Sequence, residues 1–357
     1  MFRFLTAGES HGPALTAIIE GVPAGLVLDI DQINADLARR QQGFGRGGRM
    51  KIENDRVEIM SGVRFGNTLG SPLTMVISNR DWTNWQDRMS AFGQPYGEKV
   101  TAPRPGHADL PGILKYERED IRDILERASA RETAARVAVG SIAKQLLSVA
   151  GITITSKVLN IGGAHTEQAM IDAVAEAKAA GDSLGGIFAI TATGLAAGLG
   201  SHVQWDRRLD TCLAAAVMSI QAIKGVEFGA GFAYAGLPGS KVHDEIYYDD
   251  SRGFYRRTNN AGGIEGGISN GEDIVLKAVM KAIPTLMQPL ATVNIADKAA
   301  VKANTERSDV CAVSAAAVVA EAMVAIVLAQ ALLEKFGGDS IGDLKNSLES
   351  YKARINK

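Results

Sequence analysis

Ser129-Ala-Arg-Glu-Thr-Ala-Ala-Arg-Val-Ala-Val-Gly-Ser-Ile-Ala-Lys-Gln-Leu-Leu-Ser-Val-Ala-Gly151 is the stretch whose reading decides the fold class. It lies in the strongest helical segment, 120–150. Ser129 and Glu132 have the spacing of a capping box, so the sequence predicts a helix that opens at Ser129. Val137, Val139, Ile142, Leu146 and Leu147 follow, and Gly151 supplies a stop. A second long helix, over 311–336, is mostly Ala and Val. Glu321 inside that apolar run makes it a buried helix and not a membrane span.

Working outward, strands are predicted over 14–20, 26–30, 57–60, 73–78, 152–161, 186–193, 226–235 and 274–283. Further helices are predicted over 31–42, 166–180 and 209–223. Asp31 caps the first of these and Gly43 ends it. The loop 43–50 is rich in Gly and Arg, 81–105 is irregular and polar, and the charged tail 351–357 is expected to fray. No linker or fixed-period repeat divides the chain. The expectation is one α+β domain over 1–357 whose helices cover or separate sheets.

Composition narrows the function. The 357 residues carry 38 basic and 40 acidic side chains, a net charge of −2, which lacks the footprint of a nucleic-acid binder. Any anion site must be a local concentration of Arg. Two cysteines, Cys212 and Cys311, are too few for a disulfide framework or a closed thiolate zinc site. They fit a reducing compartment. The N-terminus reaches Gly8-Glu-Ser10 too soon for a secretory apolar segment, so a cytoplasmic location is expected. Glycine is high, 39 residues or about 11% against a usual ~7%, and its clustering implies special turns.

Two familiar patterns fail on context. Gly43-Phe-Gly-Arg-Gly-Gly48 matches G-x-G-x-x-G, but a helix enters it where a dinucleotide site needs a strand. Gly8-Glu-Ser-His-Gly12 matches the hydrolase elbow, but seven preceding residues cannot build the sheet it requires.

Three features do converge. Arg39, Arg40, Arg46 and Arg49 fall within eleven residues around the Gly-rich loop, and Arg104, Arg127, Arg131 and Arg307 lie in or beside further loops and a helix start, where Arg captures phosphate and carboxylate. His11 and His107 lie in Gly- or Pro-flanked loops and can exchange protons near neutrality. The run 261–271 holds five glycines, a backbone able to approach a planar ring or a phosphate. The alternatives are surface ion pairs for any one Arg and an empty mobile loop for the glycines. Together these residues predict a small polyanionic substrate, two proton-handling histidines and room for a bulky cofactor. No His, Cys or Asp spacing matches a familiar metal site.

The motifs resemble the chorismate synthase family along nearly the whole chain. They are Gly8-Glu-Ser-His-Gly12, Arg39-Arg40 through Arg46, Ser61-Gly-Val63 and Arg104-Pro-Gly-His-Ala-Asp109. Further matches are Glu126-Arg-Ala-Ser-Ala-Arg-Glu-Thr-Ala-Ala-Arg136, Ala222-Ile-Lys-Gly-Val226, Asn260-Ala-Gly-Gly263, Gly266-Gly-Ile-Ser269, Arg307-Ser-Asp309 and Glu321-Ala-Met-Val-Ala-Ile-Val327.

The resemblance implies a β-α-β sandwich with helices between sheets, assembled as a homotetramer. It implies a lyase of the shikimate pathway to the aromatic amino acids. The reaction would be an anti 1,4-elimination of phosphate from 5-enolpyruvylshikimate 3-phosphate, giving chorismate. It is redox-neutral, yet depends on reduced FMN, which NADPH could supply. His11 would protonate the departing phosphate, His107 would stand beside the flavin, and Asp309 would relay a proton, supported by Ser10 and Ser129. Arg40, Arg46, Arg49, Arg104 and Arg131 would hold the substrate anions, and Arg40 and Arg46 also match NADP positions. FMN-contacting positions would be Arg127, Ala128, Ser129, Gln221, Ala222 and Gly266, then Lys281, Ala282, Ile283, Pro284 and Thr285, and Arg307. Gln41-Gln42, Ala128 and Ala282 depart from the family pattern. The competing readings are a flavin-dependent NADPH oxidoreductase and a non-catalytic flavin- or anion-binding protein.

Overall fold

The computed structural model describes residues 2–47, 53–306 and 308–355. Its centre is a pair of helices, Thr133–Ser148 and Val313–Phe336, packed on each other. Small residues allow the contact. A Cβ on Gly140 would stand 2.2 Å from Cβ of Ala322, so only glycine fits where the two backbones meet. Val313–Phe336 is long and apolar enough to cross a membrane, but it is buried inside the fold, as the sequence reading expects.

Each central helix also packs on a sheet. Thr133–Ser148 meets a sheet in the order Arg3–Ala7, Ala14–Glu20, Leu73–Ser78, Glu58–Ser61. Val313–Phe336 meets a second one, in the order Thr153–Ile161, Gly186–Thr193, Ile274–Met280, Ile223–Phe228. Both are antiparallel throughout. Period-two burial turns one face of each sheet to the helices: Leu15, Ala17 and Ile19 in one, Phe188, Ile190 and Ala192 in the other. Burying each large side chain contributes roughly 1.5–3 kcal/mol. The result is a β-α-β sandwich, an α+β fold with helices between sheets.

Several predicted elements shift, each for a local reason. No strand forms over 26–30. Val27 makes one bridge with Asn67, and the Asp29 side chain then accepts from the N–H groups of Asp31 and Gln32, starting the helix Ile30–Gln41. Asp29, not Asp31, is the cap. The strand predicted over 226–235 is Ile223–Phe228, ended by Gly229, whose Cβ would fall 1.8 Å from the Asn260 carbonyl oxygen. The tail does not fray at 351: Ile341–Ile355 is helical, with Leu344 and Leu348 buried and the Tyr351 hydroxyl donating to the Ala197 carbonyl at 2.9 Å. The strand Arg3–Ala7 and the helix Asp109–Tyr116 are absent from the sequence reading because both are short and largely polar or exposed.

Candidate active site

The helical stretch around Ser129 is broken at that residue. Arg122–Ala128 is helical, Ser129 is extended with ψ of 141°, and a 3-10 turn, Ala130–Glu132, leads into the helix from Thr133. The capping box does not form. Ser129 Oγ accepts from the Arg131 N–H at 3.3 Å, and Glu132 instead accepts from Thr6, Arg136 and Gln221. The break turns residues 128–131 into one wall of a cavity of about 430 Å³.

His11 and His107 both line that cavity. His11 Nδ1 lies 3.0 Å from each Glu126 carboxylate oxygen, and its backbone N–H donates to Glu126 Oε2 at 2.8 Å. Its ring stacks on Trp85, centroids 4.0 Å apart. Arg122 donates to Glu126 at 2.7 Å and lies over the same Trp85 ring. Burial alone would raise the Glu126 carboxyl, but its hydrogen bonds and charge contacts with His11 and Arg122 outweigh burial and hold it below the usual range.

His107 Nδ1 lies 2.5 Å from Asp109 Oδ1, with Arg104 Nη2 3.0 Å away. Asp109 is fully buried and accepts from Arg104 through Nε at 2.8 Å and Nη2 at 3.0 Å. Burial raises the Asp109 carboxyl; the His107 and Arg104 contacts reverse that and hold it far below the ordinary value. An ionised carboxylate only accepts, so it orients the His107 ring with Nε2 left for a ligand. Thr285 completes this corner, accepting from Arg104 at 2.9 Å.

The described arginines of the site are all ion-paired. Asp55 joins Arg40 at 2.8 Å and Arg131 at 2.5 Å, and Thr133 accepts from Arg40. Arg46 lies 2.5 Å from Asp309, which also accepts from the Gly47 N–H. Burial is the larger of the influences that lower Arg40, and the nearby Arg131 and Arg46 charges act in the same direction against Asp55. Arg40 Nε and Arg131 Nη2 are buried without a hydrogen-bond acceptor among the described residues. A bound anion in the cavity would relieve the crowded positive charge.

A less polar wall faces this cluster. Ala128, Ala222, Met280, Ile283 and Pro284 line it, with Gln221 at its edge. Gln221 Oε1 is buried and accepts no hydrogen bond among the described residues. Ala222 has φ of 66°, a left-handed conformation that costs a non-glycine residue roughly 1–2 kcal/mol. Such strain is held in place by its neighbours; here the Ala222 carbonyl accepts from the Lys281 N–H at 2.9 Å.

Thus Ser10, His11, Arg40, Arg46, Arg104, His107, Ala128, Ser129, Arg131, Gln221, Ala222, Lys281, Ile283, Pro284, Thr285 and Asp309 come together around one cavity. Ala282 sits within the same run without lining it. Arg127 stands outside, donating to the carbonyls of Gly8 and Thr6, and Gly266 lies in the turn between Ile264–Glu265 and Ile268–Ser269. Arg49 and Arg307 lie outside the described residues. Sequence reading missed Glu126, Arg122, Trp85 and Asp55. The four-residue spacing of Arg122 and Glu126 was a usable signal. Nothing local announces Asp55, which only the fold brings to two arginines.

Comparison with known proteins gives a consistent family. The family model described as chorismate synthase matches residues 2–333. The chain is 58% identical, over an alignment 386 positions long, to the chorismate synthase of Geobacter sulfurreducens, covering 98% of each. It is 59% identical over 353 residues to that of Caldanaerobacter subterraneus, covering 99% of each. A solved chorismate synthase crystal structure matches with a TM-score of 0.80 at 43% identity, over 99% of this chain and 98% of that one.

Proposed function

The chain belongs to the chorismate synthase family, and on that premise we propose that it eliminates phosphate from 5-enolpyruvylshikimate 3-phosphate to give chorismate, with reduced FMN bound. The enzyme class is a carbon–oxygen lyase. The ring loses one hydrogen and its phosphate in a 1,4 relationship, and a second ring double bond forms with no net oxidation. The observation that carries the reading is the shared cavity: two imidazoles face the same space as Arg40, Arg46, Arg104 and Arg131.

The roles follow from the contacts. The substrate carries a phosphate and two carboxylates. Arg40, Arg46, Arg104 and Arg131, which line the cavity, bring positive charge to it. His11 donates a proton as the phosphate departs, since expelling an unprotonated dianion is otherwise slow. Ser10, whose backbone N–H donates to the Glu126 carbonyl, and Ser129 frame that histidine's side of the cavity. Asp309, held by Arg46 and the Gly47 N–H, is a carboxylate placed to pass on the ring proton.

The less polar wall fits a flavin. A planar ring suits the small and apolar side chains there, and the unsatisfied Gln221 Oε1 calls for a donor such as a ring N–H. Ala128, Ser129, Gln221, Ala222 and the 281–285 run would hold it, with His107 beside it. Reduced FMN, when bound, supplies the electron-rich ring on which this redox-neutral elimination depends. His107, its Nδ1 fixed against Asp109, sets the local charge.

The same reading makes this the step of the shikimate pathway that feeds the aromatic amino acids, in a cytoplasmic homotetramer folded as one domain over 1–357. One contiguous core spanning both sheets supports the single domain. Leu5, Ile18 and Met60, exposed on the first sheet, offer apolar surface for a second copy to cover. Anaerobic enzyme given substrate and chemically reduced FMN is expected to release chorismate and inorganic phosphate in equal amounts. Release of neither overturns the proposal. A parallel reaction with NADPH and oxidised FMN separates a self-reducing enzyme, which turns over, from one that needs an external reductant.

A further inference from the structure

We propose that Glu126 is the positioning residue for His11: it fixes the ring with Nδ1–H toward its carboxylate and aims Nε2 into the cavity, toward the leaving phosphate. The inference rests on the reading of His11 as proton donor. It gives a role to a residue that opens one of the family motifs and to which the sequence reading assigned none.

The geometry is specific. Glu126 side-chain exposure is 1%, and its carboxylate meets three donors: His11 Nδ1 at 3.0 Å, the His11 backbone N–H at 2.8 Å and Arg122 Nη1 at 2.7 Å. With Arg122 attached the carboxylate stays ionised and can only accept, so Nδ1 must carry the hydrogen. Transfer to substrate therefore runs through Nε2. The backbone bond ties the histidine main chain to the same carboxylate as its ring, which removes freedom on both sides of the side chain. Trp85, stacked at 4.0 Å, fixes the remaining rotation. Arg122 then serves three partners: it pairs with Glu126 through Nη1 and with Glu306 through Nη2 at 2.9 Å, and it braces Trp85, over whose ring it lies at 4.8 Å.

A merely structural Arg122–Glu126 helix pair would leave catalysis alone, and a double-mutant cycle tells the two apart. Wild type, Glu126→Gln, His11→Ala and the double variant are assayed at saturating substrate and reduced FMN, with KM and the melting temperature measured for each. Glu126→Gln is expected to lower kcat about 100-fold, the order of a general-acid contribution, with KM held within about twofold. In the His11→Ala background the same change is expected to cost little more. Additive losses overturn the role of Glu126 while leaving His11 as donor. Wild-type kcat in His11→Ala overturns the reading of His11 itself. A measurement on the unaltered enzyme keeps the proposal exposed even if Glu126→Gln does not fold. Nitrogen NMR of 15N-histidine-labelled protein, assigned by comparison with His11→Ala, is expected to show neutral His11 as the Nδ1–H tautomer, and the Nε2–H tautomer overturns the proposal.

Discussion

Arg46 Nη1 lies 2.5 Å from Oδ2 of Asp309, so the cation proposed to grip substrate and the carboxylate proposed to move its proton are held as one unit. Removing the guanidinium strips the cavity of a charge-assisted donor and releases Asp309 from its orientation. Arg46→Ala is expected to weaken substrate binding by roughly 1.5–3 kcal/mol in calorimetry, and unchanged affinity would remove Arg46 from the anion site.

Asp55 carries a heavier structural task. Its side chain is the common partner of Arg40 and Arg131, both nearly fully buried. Asp55→Asn leaves two buried guanidiniums short of a counter-charge and is expected to destabilise the fold by about 3–5 kcal/mol in urea unfolding. A loss within 0.5 kcal/mol, about the scatter of a surface change, would mean that water already reaches the pair.

The two central helices make a third test. Gly140→Ala forces a methyl group to within 2.2 Å of the Ala322 Cβ, so the helices must separate. The expected cost is about 1–3 kcal/mol, seen as a lower melting temperature. A variant as stable as the parent would show that the contact is looser than the geometry implies.

Acid sensitivity follows from the buried carboxylates. Asp109 and Glu126 both titrate below their ordinary values in the folded state. Their pairing therefore stabilises the protein above the unfolded carboxylate range, about 3.9–4.3, and that stability is lost as pH falls through the lower folded values. Unfolding free energy is expected to be flat in this contribution from pH 5 to 7 and to fall steeply below pH ~4. Asp109→Asn is expected to lower stability at neutral pH and make the acid limb shallower. An unchanged acid limb contradicts the pairing.

Much of this was legible in the chain. Period-two apolar residues located Ala14–Glu20, Leu73–Ser78 and Gly186–Thr193, because one buried face per sheet imposes that pattern. The imidazole and arginine loops were legible because Gly and Pro left no packing reason for such residues. What was hidden depended on distance in sequence. Ser129 reads as a helix start, yet the chain is already helical before it, and the break there serves the cavity. Asp55 pairs with Arg131 across 76 positions, and Glu126 meets His11 across 115. No local pattern encodes a contact made only by the sandwich closing.

One cavity brings His11 to the substrate and His107 to the flavin. A crystal structure of the enzyme with oxidised FMN and 5-enolpyruvylshikimate 3-phosphate tests it most directly. The substrate phosphate is expected within roughly 2.6–3.2 Å of His11 Nε2, its carboxylates on the arginines, and the flavin ring beside His107. Substrate density elsewhere, with the space between His11 and His107 filled only by water, would contradict it.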